Sequence, residues 1–305
     1  MSRTIGAIAV GAAAIALVAL GVVLQPRHET VGPNPSPTTT VPPSLAAVAT
    51  PPSSDGQVAI VRTIDGNSDL FLMAGDGTGA RRLTTDPAED LEPIWLADGQ
   101  SLVFTRRTAL EPERSEIYAI DIASGRETPL THTGARAADP RLSPDGLQLA
   151  YEATPPGIYI MKTDGSGQHE VFTFDGYYTL LTWSLDGRSL YLRREADQVL
   201  LRLDVKTGDV LEASPEPGLA GQVSPDGTLI AFEDASRGRG LWVMARDGSG
   251  ARHVFGEWTR PYAFAWAPDG EHLFFAQGDG WLYVIGTDGS GLARWAEGLA
   301  AAPRP

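Results

Sequence analysis

The chain has 305 residues, no cysteine and a net charge of −14 at pH 7, from 24 basic and 38 acidic residues. The absence of cysteine excludes disulfides, thiolate metal sites and a cysteine nucleophile. The acidic excess disfavours binding to nucleic-acid phosphates or to an anionic membrane surface, so we predict no nucleic-acid partner.

An uncharged, proline-free apolar segment occupies residues 5–24, "IGAIAVGAAAIALVALGVVL". Twenty helical residues at ~1.5 Å each span ~30 Å, the thickness of the hydrocarbon core of a bilayer. We therefore predict a signal anchor, a single transmembrane helix over residues 1–25, that attaches the protein to the cell membrane. A cleaved signal peptide is the alternative, because Ala19 and Gly21 are small residues at cleavage-site spacing; the protein would then be secreted.

Residues 26–50 form a stretch rich in proline and threonine that includes "PNPSPTTTVPP". Such a composition cannot build an apolar core and favours an extended, polyproline-like course. We predict a disordered linker that holds the following domain away from the membrane, on its extracytoplasmic side.

An Asp-Gly turn followed by an apolar run recurs six times between residues 51 and 298. The turn aspartates, 40 to 47 residues apart, are Asp55, Asp98, Asp145, Asp186, Asp226 and Asp269. A second glycine-containing turn follows in each repeat, so each repeat reads as four short strands. Sheets with two apolar faces become stable when they pack radially against each other. The sequence therefore predicts an all-β, six-bladed β-propeller of four-stranded antiparallel blades over residues 51–298, with a C-terminal tail at residues 299–305.

Two stretches carry a family resemblance, "DGNSDLFLMAGDGTGARRLT" from residue 65 and "PIWLADGQSLVFTRR" from residue 93. Both resemble the WD-like repeat of TolB-type six-bladed propellers, and the resemblance extends over about residues 50–298. It implies the fold and does not imply a particular function. Trp95, Trp183 and Trp266 each precede a turn aspartate by three residues, and we predict that they pack as wedges between blades.

The first repeat lacks a good inner strand, so either chain end could complete that blade. Residues 45–50 are one candidate, and the tail at residues 299–305 is the other. We favour the N-terminal segment, because the two prolines of the tail have no N–H to donate to a neighbouring strand.

The sequence contains few marks of catalytic or metal chemistry. Asp65, Asn67 and Asp69 alternate like the start of a calcium loop, but the glycine and glutamate that complete such a loop are missing. Glu92 and Asp139 are the only acids among six equivalent positions that line the predicted channel, which is too few for a metal ring. No nucleophile elbow or triad occurs. We therefore predict no metal, no cofactor and no enzymatic activity.

The predicted strand order divides the disc into two faces. The turn face carries the Asp-Gly turns and the second turns, whereas the loop face carries the connections between strands two and three and between blades. The longest connection on the loop face, residues 105–116, is rich in arginine. Arginine and aromatic residues anchor interfaces, so on this face we predict a binding site. The candidate residues are Arg106, Arg107, Arg114, Tyr177, Tyr178, Trp258 and Arg260.

The functional prediction is a non-catalytic, membrane-anchored, extracytoplasmic scaffold that binds an envelope protein or a glycan. The alternative is a propeller-fold enzyme, a lyase or hydrolase that acts on an exported polymer or small molecule at the channel mouth, near His132, Asp139 or Tyr177.

Overall fold

The structure is a computed structural model that describes residues 56–108, 114–184, 186–197, 199–212, 221–233, 240–246, 248–256, 264–267, 269–276, 279–298 and 300–303. The predicted membrane helix, the predicted linker, Trp258 and Arg260 lie outside the described residues. Within those residues, no helix has the length and apolar character needed to cross a membrane.

The described residues form 24 strands in six four-stranded antiparallel sheets, numbered along the chain. Blade 1 contains β1 (Gln57–Ile64), β2 (Asn67–Ala74), β3 (Arg81–Arg82) and β24 (Ala300–Pro303). Blade 2 contains β4 (Glu89–Trp95), β5 (Ser101–Thr108), β6 (Arg114–Asp121) and β7 (Glu127–Pro129). Blade 3 contains β8 (Ala137–Leu142), β9 (Gln148–Ala153), β10 (Gly157–Lys162) and β11 (His169–Thr173).

The other three blades repeat this order. Blade 4 contains β12 (Tyr178–Trp183), β13 (Ser189–Arg194), β14 (Val199–Asp204) and β15 (Val210–Glu212). Blade 5 contains β16 (Gln222–Val223), β17 (Leu229–Glu233), β18 (Leu241–Ala245) and β19 (Arg252–Phe255). Blade 6 contains β20 (Phe264–Trp266), β21 (His272–Ala276), β22 (Trp281–Gly286) and β23 (Ala293–Glu297). The predicted six-bladed β-propeller of four-stranded antiparallel blades is confirmed.

The apolar core lies in the seams between neighbouring blades. Alternate residues of a middle strand point to opposite seams. In β1, Val58 and Ile60 pack with residues of blade 6, whereas Ala59 and Val61 pack with residues of blade 2. Both faces of the strand are therefore buried, which explains the continuous apolar run in its sequence.

Three tryptophans fasten blades 2, 4 and 6 to the blade before them. Trp95, Trp183 and Trp266 are each at most 6% exposed, as the predicted wedge packing requires. Each indole Nε1 also donates a hydrogen bond of 2.7 to 2.9 Å to a carbonyl on the inner strand of the preceding blade. The acceptors are Ala302, Arg141 and Gln222.

The inner strand of blade 1 is β24, so the preference for residues 45–50 was wrong. β24 pairs antiparallel with β1, with Ala300 opposite Val61 and Pro303 opposite Val58. Pro303 is compatible with this strand because an inner strand pairs on one side only, so not every N–H of the strand has a partner to donate to. The propeller thus extends to Pro303 and includes part of the predicted tail.

Candidate functional site

The strand register identifies the two faces of the disc. In blade 2, β5 and β6 meet at the Thr108–Arg114 end, which belongs to the loop face. The opposite ends of β4 and β5 are joined through Asp98 and Gly99, which belong to the turn face. Arg107 pairs with Glu89 near the loop-face end.

The aspartates of the turn face stabilise their own turns. Asp145 accepts hydrogen bonds from Ser143 Oγ at 2.5 Å and from the Leu147 backbone N–H at 3.0 Å. The hydrogen bond from Ser143 lowers the pKa of the Asp145 carboxyl. Asp186 and Asp226 have lowered pKa values for the same reason, through serines at the equivalent position. Turn chemistry therefore accounts for these acids without a ligand.

Arg106, a predicted binding residue, points into the seam between blades 1 and 2. It is 9% exposed, and its guanidinium donates two hydrogen bonds to Asp90, at 2.7 and 2.8 Å, and one to Glu127 at 2.7 Å. It also lies over the Tyr118 ring, 4.7 Å from the centroid. Burial raises the pKa of the Asp90 carboxyl, and Arg106 opposes that effect. These contacts make Arg106 part of the seam.

Arg107 and Arg114 lie at the loop-face end of blade 2. Arg107 is half-exposed and forms an ion pair with Glu89, with 2.7 Å between Nη2 and Oε2. Arg114 is exposed. Both arginines are thus on the predicted binding face, and their binding role stays a prediction.

Tyr178 belongs to an aromatic group at the connection from blade 3 to blade 4, and Tyr177 precedes it in that connection. Tyr178 stacks on Phe174 at 4.9 Å and meets Phe172 edge-on at 5.7 Å between ring centroids. Its hydroxyl donates to Asp175 at 2.7 Å, and that hydrogen bond raises the pKa of Tyr178. Tyr177 is 86% exposed, the highest value among the exposed large hydrophobic residues that the structure describes.

Glu92 and Asp139 occupy equivalent bulges in the inner strands of blades 2 and 3. Both have positive φ, 55° and 58°, a region that non-glycine residues rarely adopt. Glu92 Oε2 accepts hydrogen bonds from Thr105 Oγ1 at 2.7 Å and from the Asp139 backbone N–H at 3.0 Å. Burial, followed by the negative charge of Asp139, raises the pKa of the Glu92 carboxyl. The sequence identified both as channel residues but gave no sign of the bulges.

Arginines that the sequence analysis did not single out surround this pair. Arg136 forms ion pairs with Asp139 at 3.1 Å and with Glu152 at 2.9 Å. Arg141 lies 3.8 Å from Asp139. Glu152 also accepts a hydrogen bond from the Leu180 N–H of blade 4. The cluster therefore joins blades 2, 3 and 4 near the loop-face half of the channel. In the sequence, the stretch "GARAADP", residues 134–140, which leads into β8, contains both Arg136 and Asp139.

In the segment that resembles the start of a calcium loop, residues 65–69, the carboxylate of Asp69 forms an ion pair with Arg82. Asp69 is fully buried and bonds to Arg82 at 2.6 Å, while Asn67 donates to the carbonyl of Asp86 at 2.8 Å. Asp65 lies in the tight turn with φ 52°. Throughout the part of the chain that the structure describes, no group of three or more His, Asp or Glu residues is arranged to hold a metal ion.

These features define a TolB-like six-bladed β-propeller. No protein-family model matches the chain. The Tol-Pal system protein TolB of Desulfosudis oleivorans is 27% identical over 120 residues, 38% of this chain and 26% of that protein. The Uncharacterized peptidase YuxL of Bacillus subtilis is 23% identical over 207 residues, 50% of this chain and 32% of that protein.

A solved structure of TolB from Acinetobacter baumannii superposes with a TM-score of 0.65 at 19% identity. The superposition covers 84% of this chain and 68% of that one. The matches to the two curated relatives cover about a third of their length or less. These similarities thus establish the fold, and the relatives include both a Tol-Pal component and a protein named as a peptidase.

Proposed function

We propose that the protein is a non-catalytic binding scaffold of the cell envelope. In this proposal its N-terminal segment anchors it in the membrane, the propeller lies on the extracytoplasmic side, and the loop face binds an envelope protein or a glycan. The name of the Tol-Pal relatives supports a place in the envelope, and the partner has to be found by experiment.

The observation that carries the proposal is the position of the two propeller ends. β1 begins at Gln57, whose neighbour Gly56 accepts a hydrogen bond from Gly75 in a turn of the turn face. β24 ends at Pro303, opposite Val58, on the same face. Any tether that precedes residue 56 therefore joins the propeller at the turn face, and the loop face lies at the opposite ends of the same strands.

The chemistry of the two faces supports the same orientation. Acids of the turn face, such as Asp145, serve the turns that contain them. The loop face carries Arg107, Arg114 and Tyr177, whose identities no turn requires. Arginine and tyrosine are enriched among residues that dominate binding energy at interfaces.

The enzyme alternative has one specific observation in its favour, the channel pair Glu92 and Asp139. A raised carboxyl pKa, as at Glu92, and unusual backbone angles, as at both residues, cluster at active sites. However, Glu92 already accepts bonds from Thr105 and from the Asp139 backbone, and Arg136 neutralises Asp139. These bonds give the pair a structural role in joining blades, which favours the scaffold. Conversion of an envelope polymer that is lost in both Glu92→Gln and Asp139→Asn would favour the enzyme.

The natural absence of cysteine allows a direct test with single-cysteine variants of the full chain. Arg114→Cys and Gln100→Cys place one exposed thiol on the loop face and on the turn face of the same blade. Each variant is labelled with a bulky polyethylene-glycol maleimide, cross-linked in membranes of its own organism and purified with its partners. We expect the label at position 114 to abolish capture, whereas the label at position 100 leaves capture unchanged, and unlabelled Arg114→Cys captures more than its labelled form.

The same variants test the location. A membrane-impermeant maleimide should label both thiols without lysis of the cytoplasmic membrane. Labelling only after that membrane is lysed would contradict the extracytoplasmic placement. Capture that is lost with the label at position 100 and kept with the label at position 114 would reverse the two faces.

A further inference from the structure

The loop-face end of blades 3 and 4 carries an aromatic patch, which consists of the packed residues Phe172, Phe174 and Tyr178 and of the exposed Tyr177 that precedes Tyr178 in the chain. The rings of Phe172, Phe174 and Tyr178 pack against each other within 5.8 Å between centroids. They also pack on the apolar cluster of the seam between blades 3 and 4. A single exposed aromatic residue is common on protein surfaces, but here the exposed Tyr177 directly precedes Tyr178, a member of a packed aromatic group.

The backbone of Tyr177 is held in place although its side chain is in solvent. Its carbonyl accepts a hydrogen bond of 2.9 Å from the Glu195 N–H, and the next residue, Tyr178, pairs with Arg194 in β13. A ring on a fixed backbone loses little freedom on binding, which is the property of an interface anchor. The fold does not depend on this ring, because 86% of the Tyr177 surface is exposed to water and little of it is buried.

Carboxylates outnumber cations around the patch. Asp175 bonds to Tyr178, and Arg194 bonds to both Asp197 at 2.8 Å and Glu212 at 3.3 Å. Three carboxylates thus accompany one guanidinium, on a chain whose net charge is −14. Acidic groups beside an aromatic face attract a cation twice, through charge and through the ring quadrupole.

We propose that the aromatic patch and its flanking carboxylates bind a basic segment of a partner protein, with a lysine or arginine side chain over the Tyr177 ring and its charge near Asp175 and Asp197. The inference rests on the proposed function, because it names the kind of partner that the loop face binds. Charge complementarity favours a basic protein segment over a neutral glycan, which offers no cation.

A fluorescent hexa-arginine peptide is the probe, titrated by anisotropy into the purified full-length chain at low and at physiological salt. Cation–π contacts of about 0.5–1.4 kcal/mol correspond to a two- to tenfold change in Kd. We expect Tyr177→Ala to weaken binding by that factor, and the Asp175→Asn, Asp197→Asn double variant to weaken it and reduce its salt dependence. Two exposed turn-face residues provide matched controls, Leu147→Ala and Asp164→Asn, and these should stay within about twofold of the parent.

Three results would overturn the inference. One is equal weakening by Asp164→Asn and by the double variant, since binding would then follow the diffuse charge of the domain. Another is no effect of Tyr177→Ala. The last is Tyr177-dependent binding of the neutral glycan chitohexaose in place of hexa-arginine. Cross-linked capture separates this inference from the proposed function. If Tyr177→Ala, introduced into the Arg114→Cys chain, still captures partners, and if the label at position 114 still blocks that capture, only the inference is contradicted.

Discussion

Removal of the C-terminal strand tests how the ring is closed. Deleting residues 300–305 removes β24, which supplies four residue pairs to β1 and accepts the Trp95 indole bond at Ala302. Each hydrogen bond contributes a net ~0.5–1.5 kcal/mol, and a buried donor left without a partner costs ~1–3 kcal/mol. The lower limits together predict a loss of at least about 3 kcal/mol, against a total of about 5–15 kcal/mol for an ordinary domain.

The measurement is urea unfolding of the full-length and truncated chains, followed by tryptophan fluorescence. A chain that lacks only residues 304–305 keeps β24 and is the matched control, and we expect it to unfold like the parent. A peptide of residues 298–305, added to the truncated chain, should restore part of the lost stability. If deletion of residues 300–305 changes the free energy of unfolding by less than about 0.5 kcal/mol, another segment such as residues 45–50 forms the inner strand, and the reasoning fails.

Three further substitutions test the seams and the channel cluster. Arg106→Met should lower the free energy of unfolding by about 3–5 kcal/mol, because the buried Asp90 loses its partner. A loss below 1 kcal/mol in urea unfolding would contradict this. The control, Arg114→Met, should leave the free energy of unfolding unchanged. Trp183→Phe should cost about 1 kcal/mol through loss of the bond to the Arg141 carbonyl, and a melting temperature equal to that of the parent would argue against the bond. The folded pKa of the Glu92 carboxyl is raised above its unfolded value near 4.5, so ionisation lowers the stability of the parent as the pH rises above that value. Glu92→Gln removes this ionisation, and its stability relative to the parent should therefore increase with pH above about 4.5. A stability–pH curve of Glu92→Gln that parallels the parent curve would contradict the raised pKa.

The local parts of the fold could be predicted from sequence because local chemistry determines them. Asp-Gly turns and apolar runs repeat at a regular interval, and Trp95, Trp183 and Trp266 recur at a fixed distance from the turn. The closing strand could not be predicted in this way. It depends on competition between two weak segments at opposite ends of the chain, and its contact with Trp95 spans 207 residues.

The direction of some candidate side chains was predicted less well than the fold. Arg106 lies two residues after Phe104 in β5, so strand alternation places both on the seam side. This alternation was visible in the sequence, but the prediction of Arg106 as a binding residue followed the arginine-rich composition of the connection instead. The environment of Glu92 was not readable, because the bulge that sets its φ depends on the register with β5.

The two faces of the propeller differ in residue composition because their connections have different structural requirements. Hairpin turns on the turn face need an aspartate or serine that accepts or donates local hydrogen bonds, and this requirement recurs in blade after blade. Blade 1 has no such hairpin between its first two strands, because β1 begins at Gln57 and β24 ends at Pro303 on this face. Connections between blades cross a seam and need no common turn, so their residues are free to vary. Arginine and aromatic residues can therefore accumulate on the loop face without cost to the fold, on the side opposite the strand ends at Gln57 and Pro303.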